Sequence, residues 1–91
     1  MSALVLSPRL DLSTAADLKD RISARIGTNL VLDASHVTHL GGLGLQVLLA
    51  GAKLWRTSGH SLTLSPRSEA FDDTLAQFGI SVDALQTEVE A

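Results

Sequence analysis

The chain has 91 residues, of which 45% are hydrophobic, 19% charged and 3% aromatic. This composition predicts one folded domain with an aliphatic core, and it excludes a disordered chain. The net charge of −3, from 7 Lys and Arg against 10 Asp and Glu, offers no basic stripe for nucleic acid. Because there is no cysteine, disulfides, thiolate metal sites and thiol nucleophiles are excluded as well.

The apolar stretches are too short to cross a membrane. The apolar run within residues 1–6 has no basic residues before it, and Pro8-Arg9 stops it almost at once. This pattern excludes a signal peptide. The longest stretch, residues 43–52, is interrupted by Gln46 and has about half the length that a bilayer requires. We therefore expect a soluble, cytoplasmic protein without membrane insertion.

The first part of the chain predicts two strands, a helix and a third strand. Residues 3–6 form an apolar strand, and alternation over residues 10–12 predicts a short second strand that pairs back on the first. A helix then begins at Ser13 or Thr14, with Asp17 in the position of a capping-box acid, and ends at Gly27. Residues 29–33 have the near-continuous apolar pattern of a central strand covered on both faces. The helix residues expected to face inward are Ala15, Leu18, Ile22 and Ile26.

The second part predicts two further helices around one strand. Residues 34–40 are expected to form a loop, followed by a helix from the glycine cluster at 41–44 to about Thr57. Residues 60–64 predict a strand closed by Ser65-Pro66. Ser68 is expected to cap a helix that ends at Gly79, and residues 80–89 a short turn or helix before an acidic end that frays. The apolar residues expected to face inward on this last long helix are Ala70, Phe71, Leu75 and Phe78.

The order β-β-α-β-α-β-α predicts an α/β fold. Strands that alternate with helices of this length imply a small mixed, mostly parallel sheet, with the helices packed mainly on one face. We expect a single domain over residues 1–91, with its core at about 3–80 and a partly frayed segment at 81–91.

The residues that could carry catalysis form no recognised catalytic arrangement. Ser35 and His36 are adjacent and point to opposite sides of an extended chain, so they cannot form a nucleophile–base pair. Asp72 and Asp73 lie about 100° apart on a helix and cannot share a proton. We therefore expect no enzymatic activity and no cofactor.

Two kinds of ligand site are weighed against structural roles. Asp33, His36 and His39 would be a minimum zinc set, but such loops more often carry solvated histidines, so we expect no metal. The glycines at 41–44 open a helix, where free N–H groups favour anions. The Walker and dinucleotide patterns are both absent, and glycine also permits close helix packing. A nucleotide binder at residues 41–44 remains an alternative.

The second helix is more apolar than a helix with one buried face needs. Leu43, Val47, Ala50 and Leu54 form one stripe. Other apolar residues of the helix spread onto further faces: Leu45, Leu48, Leu49 and Ala52. This surplus predicts an interface, the alternative being a central place in the fold. Trp55 is either a core residue or a rim anchor, and we favour burial.

Residues 30–55 resemble the core of the STAS domain, the fold of bacterial anti-sigma-factor antagonists. In that family an apolar strand ends at an acid, a Val-Thr segment follows, and Asp-Ser-Ser-Gly-Leu-Gly opens the helix. Asp33, Val37-Thr38 and Gly42-Leu43-Gly44 match this pattern. The element order extends the likeness over roughly residues 3–80.

The departures from the family pattern lie just before the matching glycines. His39, Leu40 and Gly41 stand where the family has Asp, Ser and the phosphoacceptor Ser. In the family, phosphate at this helix N-terminus abolishes docking to an anti-sigma kinase. Gly41 has no hydroxyl, so the resemblance implies that the usual switch is absent. Ser35, Thr38 and Ser58 are the alternative acceptors.

The resemblance implies a non-catalytic protein-interaction module of bacterial signalling. STAS domains without the acceptor serine act as constitutive adaptors, and this sequence is closer to the chemotaxis-associated kind. The alternatives are an adaptor that braces the ATPase of a lipid-transporting ABC system and a phospho-regulated anti-anti-sigma factor. The implied partner is an anti-sigma kinase-like protein, a chemotaxis component or an ABC ATPase, and the oligomeric state is open, a homodimer included. The predicted partner-binding residues are Ser35, His36, Thr38, His39, Leu40, Gly41, Gly42, Leu43, Gly44, Leu45 and Leu48.

Overall fold

The structure, a computed structural model, describes residues 3–87. It confirms the predicted α/β fold. The elements in chain order are β1 (Ala3–Val5), β2 (Arg9–Leu10), α1 (Ala15–Ser23), β3 (Leu30–Ala34), β4 (His39–Leu40), α2 (Gly42–Ser58), β5 (Leu62–Arg67), α3 (Glu69–Gln77) and a short 3₁₀ helix (Val82–Leu85).

The main sheet has the strand order β1-β3-β5, and its pairs are parallel. Leu32 lies at its centre, opposite Leu4 on one side and Leu64 on the other. Strands β2 and β4 form a separate parallel pair in which Leu10 lies opposite Leu40. The sheet therefore brings the carboxyl ends of its strands to one edge, where the chain leads towards α2.

The prediction that the second strand pairs back on the first is wrong. The carbonyl oxygen of Pro8 accepts hydrogen bonds from the backbone N–H groups of Thr38 (2.7 Å) and His39 (3.1 Å). These bonds align β2 with β4, inside the segment predicted as a loop. The pairing joins residues about thirty positions apart, so no local pattern could reveal it.

The core covers one face of the main sheet. Leu30, Leu32 and Ala34 are buried, whereas Val31 and Asp33 between them are only half-buried. The expectation that β3 is covered on both faces is therefore wrong. The buried residues of α1, α2 and α3 belong to the same core cluster as those of the strands, which puts the helices on one face as predicted.

The positions at which α1 and α3 end explain why two residues that were expected to face inward are exposed. Helix α1 ends at Ser23 and a turn leads to Gly27 (φ 87°), so Ile26 lies beyond the helix and is 49% exposed. Helix α3 ends at Gln77, and Phe78 behind it is 52% exposed. Ile26 and Phe78 each continue the apolar spacing of the helix before them. Each lies after the last turn of its helix, however, and so is not buried in the core.

The caps of the two helices also differ from each other. Ser68 caps α3 as predicted, because its hydroxyl oxygen accepts a hydrogen bond from the Phe71 N–H (3.1 Å). Thr14 stands at the N-cap of α1, yet its hydroxyl donates to the Arg9 carbonyl oxygen (2.9 Å). Among the described residues it makes no capping bond to α1, so the expected capping box is not formed.

The C-terminal part of the described chain packs onto β5. This strand continues through Pro66, which has a cis peptide bond to Ser65, so it does not close there as expected. After the 3₁₀ helix, Thr87 bridges antiparallel to Leu62, and Leu85 is buried. Of the segment 81–91 that was predicted to fray in part, residues 81–87 contain the 3₁₀ helix and the buried Leu85, and residues 88–91 lie outside the described part. Within residues 3–87, none of the helices combines the length and the apolarity that a bilayer span would need.

Candidate functional site

The predicted partner-binding residues lie where β3 leads through β4 into the first turn of α2. Strand β3 ends at Ala34, and α2 begins at Gly42. Between them Val37 is buried and anchors the loop to the core. We call the exposed side of this region the loop–helix surface, which consists of Ser35, His36, Thr38, His39, Gly42 and Leu43.

Four of the predicted residues face the core instead of solvent. Leu40 and Leu45 are each 3% exposed, Leu48 is 1% exposed, and Gly44 is buried. The three leucine side chains support the loop–helix surface from beneath, and Gly44 allows the first turn of α2 to pack against Leu10. Gly41, the N-cap of α2, is half-buried.

Helix α2 has a buried face and an outward apolar stripe. The buried face consists of Gly44, Leu45, Leu48, Gly51, Ala52 and Trp55. The stripe of Leu43, Val47, Ala50 and Leu54 points outward: Leu43 is 44% and Leu54 39% exposed, Ala50 is exposed and Val47 is half-buried. The surplus residues that were predicted to mark an interface are the ones inside: Leu45, Leu48 and Ala52 are buried and Leu49 is half-buried. The apolar area that α2 offers to a partner is therefore the stripe and not the surplus.

Strand β2 holds the loop–helix surface in place. The carbonyl oxygen of Pro8 accepts a hydrogen bond from the Thr38 hydroxyl (3.1 Å) in addition to those from two backbone N–H groups. The Gly41 N–H donates to the Leu10 carbonyl oxygen (2.7 Å). These contacts fix the backbone on both sides of His39, and the sequence provided no signal for them because they span distant segments.

Two turns of the form Asp-x-Ser lie at the strand ends near this surface. The Asp33 Oδ1 accepts hydrogen bonds from the Ser35 hydroxyl (2.6 Å) and N–H (2.9 Å). The Asp11 Oδ1 accepts the equivalent bonds from Ser13, at 2.6 Å and 3.0 Å. Hydrogen bonds from Ser35 lower the pKa of Asp33, and the Ser13 hydroxyl is the main cause that lowers the pKa of Asp11.

The position of the family phosphoacceptor has little spare room. A Cβ on Gly41 would lie 3.3 Å from the Leu10 carbonyl oxygen and 3.6 Å from the His39 Nε2. The backbone there is extended (φ −84°, ψ 166°), a conformation that any residue adopts. Of the alternative acceptors near it, Ser35 donates its hydroxyl to Asp33 and Thr38 to Pro8.

Leu12 is a residue near this surface that the sequence reading missed. It was expected in a strand, but it lies in the turn after β2 and is 80% exposed. The Asp11 Cα lies 3.6 Å from the position of a Gly41 Cβ, so this turn adjoins the start of α2. A leucine between Asp11 and Ser13, two turn-forming residues, was the signal available.

The remaining candidates have structural settings. Trp55 is 1% exposed and its Nε1 donates to the Thr28 carbonyl oxygen (2.8 Å), which confirms the prediction of burial. Within the described residues, no cluster of three or more His, Asp or Glu side chains is placed to hold a metal ion, and His36 and His39 are exposed. Gly44 packs directly against Leu10, as the packing interpretation of the glycines requires.

The comparison with protein families gives one finding. A family model described as "Mlab, STAS domain" matches residues 1–87 of the chain. No curated protein and no solved structure matches the chain.

Proposed function

Because the chain belongs to the STAS domain family, we propose that it is a non-catalytic module that binds a regulatory protein through the loop–helix surface. The observation that carries this proposal is the tethering of that surface to β2 by hydrogen bonds from Thr38, His39 and Gly41. A backbone held in this way loses little freedom on binding, so less of the interaction energy is spent on ordering it.

The side chains of the surface suit a protein partner. Leu43 and Leu12 supply exposed apolar area, and His36, Thr38 and His39 are exposed polar residues of the same region. Protein interfaces combine apolar residues with polar ones in this way. The two histidines also offer donors and acceptors that a partner's side chains can meet.

The proposed module binds constitutively. Gly41 has no hydroxyl at the position that accepts phosphate in the family pattern, so no phosphate can form there. Incubation of the full chain with an anti-sigma-type kinase and ATP, followed by mass spectrometry, is expected to leave the chain unmodified. A phosphate on Ser35, Thr38 or Ser58 would instead support a phospho-regulated antagonist.

For the pathway we propose bacterial chemotaxis signalling in the cytoplasm, with a chemotaxis component as the partner. The lack of a hydroxyl at Gly41 suits a second candidate equally: an adaptor that braces the ATPase of a lipid-transporting ABC system. The two candidates are discriminated by binding measurements with a purified chemotaxis component and a purified ABC-system ATPase, each chosen from the genes that neighbour this one.

The test of the surface compares two charge-introducing variants by calorimetry with the purified partner. Leu43→Asp places a carboxylate on the loop–helix surface and is expected to weaken binding by about tenfold or more. Ile26→Asp is the matched control, because this half-exposed side chain precedes β3 while the surface lies beyond the end of that strand. Circular dichroism verifies that both variants are folded. Equal binding by Leu43→Asp and the wild-type chain would contradict the proposed surface.

A further inference from the structure

Helices α1 and α2 leave a groove between them that is open to solvent. Its volume is about 410 Å³, within the range of sites that bind ligands or peptide side chains. The residues that line it are Lys19, Ile22 and Ser23 of α1, and Gln46, Val47, Ala50, Gly51 and Leu54 of α2.

The shape of the groove follows from the small residues of α2. Gly51 is buried, and the Ile22 Cγ2 lies 3.6 Å from the position that a Cβ on Gly51 would take. The two helices therefore approach closely at this point, and Ile22 forms an apolar floor. Val47 and Leu54 rise on either side of Ala50, whose methyl group leaves the space above the floor open.

The charge of the groove is opposite to that of the whole chain. Lys19 is the only ionic residue in the lining, and none of the ion pairs among the described residues includes it. Helix α2 has no acidic residue along its length, and its Lys53 lies about one turn after the lining residue Ala50. The chain as a whole has a net charge of −3. The groove is thus a locally basic, apolar trough on an acidic protein, and it favours an acidic occupant.

We propose that this groove binds an amphipathic helix of a partner protein, with apolar side chains in the trough and an acidic side chain at Lys19. The distance along α2 from Val47 to Leu54 is about 10 Å, or two helical turns, which accepts apolar residues spaced i, i+3 or i+4, and i+7. A second copy of the chain fits less well, because a symmetric contact would bring Lys19 and Lys53 of both copies together. None of the lining residues belongs to the loop–helix surface, so this inference does not rest on the proposed function.

The experiment titrates the full ¹⁵N-labelled chain with two synthetic helical peptides of about 14 residues. Both have leucines on one face, and they differ only in the flanking residues, which are glutamate in one and lysine in the other. We expect saturable shifts of the Ser23, Ala50 and Gly51 amides, with the glutamate peptide bound about fivefold more tightly or better.

Three variants separate charge, shape and position. Lys19→Glu is expected to reverse the preference between the two peptides, and Ala50→Gln to weaken both by filling the trough. Arg56→Glu is the matched control: it makes the same charge change on α2, about 200° around the helix from Leu54, and is expected to change the affinity less than twofold.

Several results would overturn the proposal. They are the absence of saturable shifts at millimolar peptide, equal affinity for the two peptides, or shifts confined to the loop–helix surface. Displacement of the peptide by sodium decanoate with the same amides shifted would assign the groove to a small amphiphile. Self-association that Ala50→Gln abolishes would assign it to a second copy. The effect of Leu43→Asp on partner binding tests the proposed function alone. It does not affect the peptide titration, because Leu43 does not line the groove.

Discussion

Gly44 packs so closely against Leu10 that a Cβ on the glycine would lie 2.6 Å from the Leu10 carbonyl oxygen and 2.9 Å from the Leu10 Cβ. The same carbonyl oxygen accepts the Gly41 N–H at 2.7 Å. The carbonyl group of Leu10 in β2 therefore determines where the first turn of α2 lies and how closely that turn packs against β2. The loop–helix surface depends on this contact, because Gly42 and Leu43 lie between the two glycines.

The contact predicts opposite effects for alanine at two neighbouring glycines. Gly44→Ala is expected to lower the free energy of unfolding by about 2 kcal/mol, because its methyl group collides with backbone that cannot move aside cheaply. Gly42→Ala meets nothing within 4 Å and is expected to raise it by up to about 1 kcal/mol through helix propensity. Urea unfolding followed by far-UV circular dichroism measures both. Equal stability of the two variants would contradict the close packing.

Serine at position 41 is expected to be tolerated. In Gly41→Ser the hydroxyl can cap α2, which is worth a few tenths of a kcal/mol relative to glycine, while the 3.3 Å approach to the Leu10 carbonyl oxygen requires a small adjustment. We expect the free energy of unfolding to change by less than about 0.5 kcal/mol. Gly41→Val, which crowds the same oxygen and cannot cap the helix, is the control and is expected to cost about 1 kcal/mol more than serine. A loss of stability as large for serine as for valine would count against this geometry.

The Asp-x-Ser turns predict that the stability of the fold decreases at acidic pH. The pKa values of Asp11 and Asp33 lie below the usual value of 3.8 in the folded chain. Their carboxylates therefore stabilise the fold above about pH 4, and this contribution is lost as the pH falls through the folded-state values. Ser13→Ala is expected to raise the pKa of Asp11, and Ser35→Ala that of Asp33, as measured by NMR titration of the carboxyl carbons. Each variant serves as the control for the other, and an unchanged pKa in both would refute the assignment.

The hydrogen bond from the Trp55 Nε1 to the Thr28 carbonyl oxygen predicts the effect of Trp55→Phe. Phenylalanine keeps an aromatic ring in the core but loses the donor and part of the volume. We expect a loss of about 1 to 3 kcal/mol in the free energy of unfolding, measured by far-UV circular dichroism because Trp55 is the single tryptophan. Thr28→Ser keeps the accepting carbonyl and is expected to change the stability by less than about 0.5 kcal/mol. A Trp55→Phe variant as stable as the wild-type chain would argue against the bond.

Ser68 connects the α3 cap to the loop of the candidate site. Its hydroxyl accepts from the Phe71 N–H and donates to the Val37 carbonyl oxygen (2.5 Å). Ser68→Ala is expected to cost about 1 to 2 kcal/mol and to shift the amide resonances of His36 and Thr38. Ser68→Asp keeps the capping acceptor but lacks the donor, so it is expected to recover part of the stability and none of the loop resonances.

The control for the Ser68 variants is Ser81→Ala. Ser81 caps the 3₁₀ helix through the Asp83 N–H (3.2 Å) and is exposed. Its loss is expected to cost less than about 1 kcal/mol and to leave the His36 and Thr38 resonances in place. If Ser68→Asp restored those resonances, the donor to Val37 would not be what positions the loop.

Several features of the fold were predictable because their causes are local. The apolar run at residues 30–32 marked β3, the spacing of leucines marked α2, and Ser68 lay where a cap must accept a nearby N–H. The two outermost apolar residues, Ile26 and Phe78, were misassigned. Their periodicity continued past the point where each helix ends, and periodicity alone carries no information about where contact with the core stops.

For the candidate site, too, the local features were predictable and the long-range ones were not. Its segment was predictable from residues 33–44, since the acid, the Val-Thr pair and the glycines stand close together in the chain. Which members of that segment are accessible was not predictable, because Leu40, Leu45 and Leu48 have the same composition as the exposed Leu43. Their burial depends on the direction from which α2 meets the sheet.

The sequence by itself determined the order and type of the longer elements, the aliphatic core and the family of this protein, since these rest on short-range periodicity and on motifs within one segment, but it did not reveal β4. Only the tertiary structure decided that β2 pairs with β4, that Leu43 is exposed while Leu45 is buried, and that a basic groove lies between α1 and α2. Each of those depends on side chains or backbone groups that are distant in the chain, and their free energy of contact exists only once the chain has folded.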